Sequence, residues 1–264
     1  MGTHAVKPGQ VLHLDYLYLG RSSGISKYVL VLKDDLSSYC WLEPVESATA
    51  ENAAFHLSRW NRVFTSPEIW ISDQGPHFIN SILANLAEEY RILHKPTVAY
   101  SPWANGTVES LMRTVQAALR AILLELKLAP QDWREVISII PSILNSAGVE
   151  RLGKNDDGSL RSPLQVMTGI IPRRPIQHIL ESSSKNTTAK VLQSARAEQL
   201  IKIDALQKAL DIMHKAVDTR VSNRRKKSIA SHNKATNIIE PKFEIGDIVL
   251  VRRAVDRGHK LLFK

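Results

Sequence analysis

Apolar and polar positions change period several times along the first half of the chain, and each change marks an element. Val11–Leu19 is apolar at most positions and reads as a strand. Tyr28–Lys33 and Ser38–Val45 have the same character. The Gly/Ser-rich stretch 20–26 and the Asp34-Asp35 turn separate the three runs, so they predict an antiparallel meander. Thr49 then caps a helix in which Ala53, Leu57, Trp60 and Phe64 recur at helical spacing. Ile69–Ser72 reads as a short fourth strand, Asn80–Tyr90 as a helix and Ile92–His94 as a fifth strand.

From Thr107 to about Leu128 the residues Val108, Leu111, Val115, Leu119 and Ile122 form an apolar stripe. Glu109, Arg113, Gln116 and Arg120 fall on a separate face. Tyr100–Gly106 reads as a loop leading into this helix, which puts Glu109 in the first turn. Pro130 opens a further helix over Gln131–Ser146. Three strands followed by alternating helix and strand predict an α/β fold, a mixed five-stranded sheet flanked by helices.

The second half has another texture. Ser182–Thr188 is a polar break. Ala189–Arg225 reads as one long helix with Ile203, Leu206, Leu210, Met213 and Val217 as its apolar positions, a packing helix rather than a zipper. The basic run Arg224-Arg225-Lys226-Lys227 is expected to end it. Phe243–Arg253 resumes a strand-like pattern.

Charge sharpens the division. Residues 1–180 hold 17 basic and 17 acidic side chains, whereas residues 181–264 hold 18 and 9. A neutral first part joined to a basic tail points to a polyanionic partner, with nucleic acid the natural candidate, the plainer alternative being a solvated basic helix. No run of about 18 apolar residues is present, so no membrane span is expected, and the N-terminus lacks a signal-peptide core. The single cysteine, Cys40, excludes a disulfide scaffold and reads as a buried strand residue. With one cysteine and nine dispersed histidines no zinc site is expected.

Three acidic residues are the candidate chemistry: Asp15 inside the first strand, Asp73 after the fourth, and Glu109, with 35 residues between the last two. Singly, each has a plainer explanation, as an edge residue, a turn aspartate and a helix-dipole glutamate. Together they would form an oxygen-only site suited to Mg²⁺ or Mn²⁺ and to phosphoryl transfer. His13 and His77 read as packing or supporting residues, and Asp34 and Asp35 as turn residues.

The segments His13-Leu-Asp15, Tyr28–Ser37, Ser72-Asp-Gln-Gly75 with His77-Phe78, and Tyr100-Ser-Pro-Trp-Ala-Asn-Gly-Thr-Val-Glu109 resemble the integrase catalytic cores of Gypsy-like LTR retrotransposons. The resemblance implies an RNase H-like core over residues 8–178, a helical basic linker over 179–240, and over 241–264 the start of an SH3-like barrel that the chain, read as a piece of a polyprotein product, is too short to close. It implies two Mg²⁺ or Mn²⁺ ions, with Asp15 bridging both and Asp73 and Glu109 each holding one. The implied reaction is DNA 3′-end processing followed by strand transfer, without a covalent protein intermediate. Element ends and target DNA would be the partners of a homo-oligomer acting in the nucleus. Asn105, Gly106, Arg113, Arg120, Lys127, Arg224, Arg225, Lys226 and Lys227 are the expected DNA contacts, and Gly75 permits the turn after Asp73.

Two departures stand out. Ser110 replaces the Arg that relatives commonly carry after the glutamate, and His94-Lys-Pro-Thr replaces a more histidine-rich stretch. They leave an alternative, a catalytically inert DNA- or chromatin-binding remnant of a transposable element. A third reading, a nuclease of RNA–DNA hybrids, is disfavoured by the Asn-Gly-x-x-Glu approach and the 35-residue gap.

Overall fold

β1 (Val11–Tyr18) lies at the centre of a five-stranded sheet, in a computed structural model that describes residues 4–97, 102–172 and 195–235. With β2 (Tyr28–Asp34), β3 (Cys40–Val45), β4 (Ile69–Ser72) and β5 (Leu93–Pro96), the order is β3-β2-β1-β4-β5. β1 and β3 flank β2 antiparallel; β4 runs parallel to both β1 and β5. Val11 to Leu14 are all buried, which explains why β1 reads as a continuous apolar run rather than an alternating one.

Alternation along β1 and β2 feeds two cores. Leu12 and Leu14 with Leu30 and Leu32 pack on Ala53, Leu57 and Trp60 of α1 (Ala50–Val63), alongside Trp70, Phe78 and Leu83. Thr49 Oγ1 accepts from the Asn52 amide at 3.3 Å, and Asn80 Oδ1 from the Leu83 amide at 3.0 Å to open α2 (Ser81–Glu89). On the opposite face Leu17, Leu19, Val29 and Val31 meet Val108, Met112, Val115, Leu119 and Leu123 of α3 (Pro102–Glu125). Each fully buried Leu of this kind contributes roughly 2 kcal/mol. This mixed sheet with helices on both faces is the RNase H-like arrangement expected from the sequence.

α3 begins at Pro102, not Thr107. Proline suits a first helical position, because its φ is preset and its missing N–H would have had no intrahelical partner. Asn105 and Gly106 are therefore helical rather than loop, and Glu109 lies two turns in. A Cβ at Gly106 would meet nothing within 4 Å. Gly106→Ala is accordingly expected to stabilise the protein by about 0.5–1 kcal/mol, seen as a higher urea midpoint at unchanged slope.

Two other helices also depart from expectation. Instead of one helix over Gln131–Ser146 there is a 3₁₀ turn (Pro130–Asp132), α4 (Trp133–Val136) and α5 (Ile139–Ser146). Pro141 has no N–H to offer the Ile137 carbonyl, and its ring crowds that carbonyl, so the helix breaks at 137–138. After a second 3₁₀ turn (Glu150–Leu152) and α6 (Pro163–Thr168), α7 (Ala195–Ala235) runs 41 residues and passes straight through the basic run. Arg and Lys are good helix formers and supply no stop. Val217 and Val221 bury against Val11, Leu36, Ile71, Leu152 and Val166, while Arg220 Nε donates to the Glu150 carbonyl at 3.1 Å. The polar boundary expected at 182–188 and the strand at 243–253 lie outside the described residues.

Candidate functional site

The β1–β4 pairing brings two of the three acidic residues together. His13 pairs with Ile71, and continuing that parallel register by two residues sets Asp15 beside Asp73. β4 stops at Ser72 while β1 continues to Tyr18, paired from there with β2. Asp15 therefore sits just past the end of the parallel pairing, where sheets of this kind form crevices. It is half-buried, on the α3 side of the sheet, and its Oδ1 accepts from the Tyr16 amide at 2.7 Å.

Asp73 is held by its own turn. Its Oδ1 accepts from the Gly75 amide at 2.9 Å and faces His77 Nε2 at 3.5 Å, with the side chain 46% exposed. The His77 ring stands edge-on to Tyr16 and Phe78. A Cβ at Gly75 would come within 2.3 Å of the His77 ring and 3.0 Å of Asp73 Oδ1. Glycine is needed here to leave room for the His77–Asp73 approach. Behind it, Ser72 Oγ and His94 Nε2 are 2.8 Å apart, and burial lowers the His94 pKa.

Glu109 is exposed on α3, one residue after the fully buried Val108. Among the described residues no three His, Cys, Asp or Glu side chains form a group able to hold a metal ion, so Glu109 is not gathered onto Asp15 and Asp73 as the sequence reading expected. Carboxylates converging without a countercharge repel one another, and an exposed glutamate has the rotamer freedom to stand away. The donor set still fits a hard divalent cation: the two aspartates are all-oxygen, adjacent by register and open to solvent on the Asp73 side.

The expected DNA contacts separate on inspection. Arg113 is exposed one turn beyond Glu109, whereas Gln116 on the same presumed polar face is buried and Arg120 is half-buried. Lys127 adopts a left-handed φ of 54° at the end of α3, its amide bonded to the Leu124 carbonyl. Lys226 and Lys227 are exposed, and Arg224 stands 3.8 Å from Glu150. Arg225 is committed inward: its Nη2 donates to Asp35 Oδ1 at 2.6 Å, so its guanidinium is not presented to a phosphate. The side chain of Asn105 lies outside the described residues.

Asp35, read from the sequence as a turn residue, and Lys33, read as the end of the second strand, prove structural. Asp35 is 1% exposed. It accepts from the Ala5 amide at 3.0 Å and from Arg225, and lies 3.2 Å from His13 Nε2. Burial alone would raise its carboxyl pKa, but hydrogen bonds from His13 and His4 and the charges of Arg225 and His13 outweigh that and hold it well below the usual carboxylate range. Beside it, Asp34 is fully buried and accepts from Gly9, the Ser37 amide and the Ser37 hydroxyl, with burial raising its pKa. Lys33 is 8% exposed and donates from Nζ to the Thr107 carbonyl at 2.7 Å. Period-2 alternation puts Lys33 and Asp35 on one face, a signal visible in sequence; their partners are 74 and 190 residues away and were not.

Burial, with the charge of Arg151 nearby, lowers the Lys33 amine to about 7 despite the opposing Asp35 charge. An unfolded lysine titrates near 10.4, so between about pH 7 and 10 the unfolded chain binds more protons than the native one, and stability rises with pH. The described histidines with shifted pKa values are all lowered and act below this window, while the Cys40 thiol, pushed up to about 12 by burial, offsets part of the gain from about pH 8.5 upward. Between pH 7.5 and 8.5 a gain of about 1 kcal/mol is expected in urea unfolding. Lys33→Met should flatten it.

Comparison with known proteins finds similarity to one family model and to retroviral polyproteins. Residues 5–102 match the family model "Integrase core domain". The Pol polyprotein of feline endogenous virus ECE1 is 30% identical over 138 residues, covering 52% of this chain and 13% of that protein. The Gag-Pol polyprotein of baboon endogenous virus (strain M7) is 26% identical over 259 residues, 97% of this chain and 13% of that protein. The chain thus spans about 13% of the length of these relatives. A chain of the simian T-cell lymphotropic virus intasome, solved in complex with PP2A regulatory subunit B56 gamma, shares the fold with a TM-score of 0.55 and 16% identity, over 72% of this chain and 63% of that one.

Proposed function

We propose that the chain carries a retroviral-type integrase catalytic core and is a divalent-metal-dependent DNA nucleotidyltransferase, working through Asp15, Asp73 and Glu109. The observation that carries this reading is the β1–β4 register, which aligns Asp15 with Asp73 on the sheet face crossed by α3. Asp15, Asp73 and Glu109 are the residues that would hold the ions. When bound, Mg²⁺ or Mn²⁺ would supply Lewis acidity for phosphodiester exchange.

The chain's own residues account for the rest. The Gly75 amide and His77 orient the Asp73 carboxylate. Arg113 faces solvent beside Glu109, where its guanidinium suits a DNA phosphate, and Lys226 and Lys227 offer further phosphate contacts. Water would attack a phosphodiester near each 3′ end of the element, releasing a short 3′ piece and leaving a 3′-hydroxyl. That hydroxyl would then attack a target phosphodiester and displace a target 3′-oxygen, with no bond to the protein. The DNA substrates place this chemistry in the nucleus. The chain would work as a homo-oligomer on DNA, in keeping with a fold neighbour that was solved within an intasome, and no helix among the described residues is long and apolar enough to cross a membrane.

The test is Mn²⁺-dependent disintegration of a branched DNA by this chain and by Glu109→Gln. Turnover present in the first and lost in the second is expected. No turnover in either, with folded protein that still binds duplex DNA, would favour the inert remnant.

A further inference from the structure

Lysine is an expensive residue at a buried sheet position, where an isoleucine or valine would pack at no cost in desolvation. Lys33 occupies such a position on β2, 8% exposed and paired with His13 of β1. Strand alternation puts it on the same face as Asp15, two residues along β1 from that partner. Its amino group reaches across this face to the Thr107 carbonyl, two residues before Glu109. The described apolar contacts of α3 with the sheet begin only at Val108, so this bond holds the helix at the point where it leaves the core. Glu109 is itself exposed. Its reach toward Asp15 and Asp73 depends on where the backbone of that turn is held.

We propose that Lys33 is a positioning residue for Glu109, pinning the start of α3 over the strand pair that carries Asp15 so that the glutamate can close the metal site. This rests on the integrase reading above. Lys33 touches neither metal nor DNA in this role; it acts through the Thr107 backbone. Groups that orient metal ligands from behind typically affect metal affinity about 10- to 100-fold.

The test uses Lys33→Met and Lys33→Gln in the full chain, with Glu109→Gln as reference. Mn²⁺ binding is followed by calorimetry without DNA, and half-saturating Mn²⁺ is measured in the disintegration assay. Positioning predicts a midpoint about tenfold higher in both Lys33 variants, with most of the maximal rate recovered at saturating Mn²⁺ and native helix content by circular dichroism. A purely structural role would reduce the active fraction and the maximal rate while leaving the midpoint unmoved, and that result would overturn the proposal. Failure of both variants to fold would overturn it as well, since Lys33 would then be a folding residue. If the wild-type chain itself neither binds Mn²⁺ nor turns over, the integrase reading fails first, a result distinct from either of these.

Discussion

Asp15→Asn is expected to lower Mn²⁺-dependent strand transfer on the order of 10³-fold or more, equivalent to about 4 kcal/mol of transition-state stabilisation, while the fold survives. The physical case has two halves. Asparagine keeps an oxygen that can accept from the Tyr16 amide, as Asp15 Oδ1 does at 2.7 Å, so the local backbone loses little. What it loses is the negative charge and the second anionic oxygen that a ligand shared between two cations must supply. Removing one of two carboxylates aligned by the β1–β4 register also relieves repulsion in the metal-free protein. The variant should therefore be equally stable or slightly more so, by up to about 1 kcal/mol, a trade common at functional sites. Strand-transfer rates and urea midpoints measured side by side decide it. A variant that loses activity together with much of its stability would make Asp15 a folding residue instead.

The second large effect lies away from the site. Asp35→Ala should cost about 3–5 kcal/mol of stability, because it leaves the Arg225 guanidinium without its buried partner and the Ala5 amide and His13 without an acceptor. Asp35→Leu combined with Arg225→Met should regain the part of that loss due to the unpaired guanidinium, while the Ala5 amide and His13 stay without their acceptor. The pH dependence has a definite sign. The native carboxyl is held below its ordinary range, so the unfolded chain takes up the proton first. The contribution is whole above about pH 4 and is lost as pH falls below that value. Urea unfolding at pH 3.5 and 6 should show a larger acid loss in the wild type than in the double variant.

Much of this molecule can be read from its sequence, and the failures have identifiable causes. The first four strands, α1 and α2 follow from apolar periodicity and capping residues, because those elements face the core and their patterns record it, whereas β5 is largely exposed. Asp73 stood out because a strand end followed by a glycine turn leaves a local mark, whereas Asp15, inside β1, and Glu109, two turns into α3, were singled out by the segments around them. The start of α3 was misjudged because Gly106 looked like a loop residue, while Pro102 was the true helix opener. The break at 137–138 was missed because Pro141 acts on a carbonyl four residues earlier. Arg225 looked like one more cation in a basic run until Asp35 proved to be its partner across 190 residues. Gathering of Glu109 was expected from the chemistry of the trio, whereas the fold aligns two carboxylates and leaves the third exposed.

The parallel pairing of β1 with β4 has a consequence for how such a chain can drift in length. About fifty residues separate the two strands, and inserting into the 20–26 hairpin or the loop after β3 would leave the pairing untouched. Losing a single residue from Val11–Leu14 would be another matter. Side chains alternate between faces, so a one-residue slip would carry Asp15 from the α3 side to the α1 side and its carboxylate into an apolar layer. Copies of this chain should therefore tolerate insertions and deletions in the 20–26 hairpin and the loop after β3, and almost none within the four residues before Asp15.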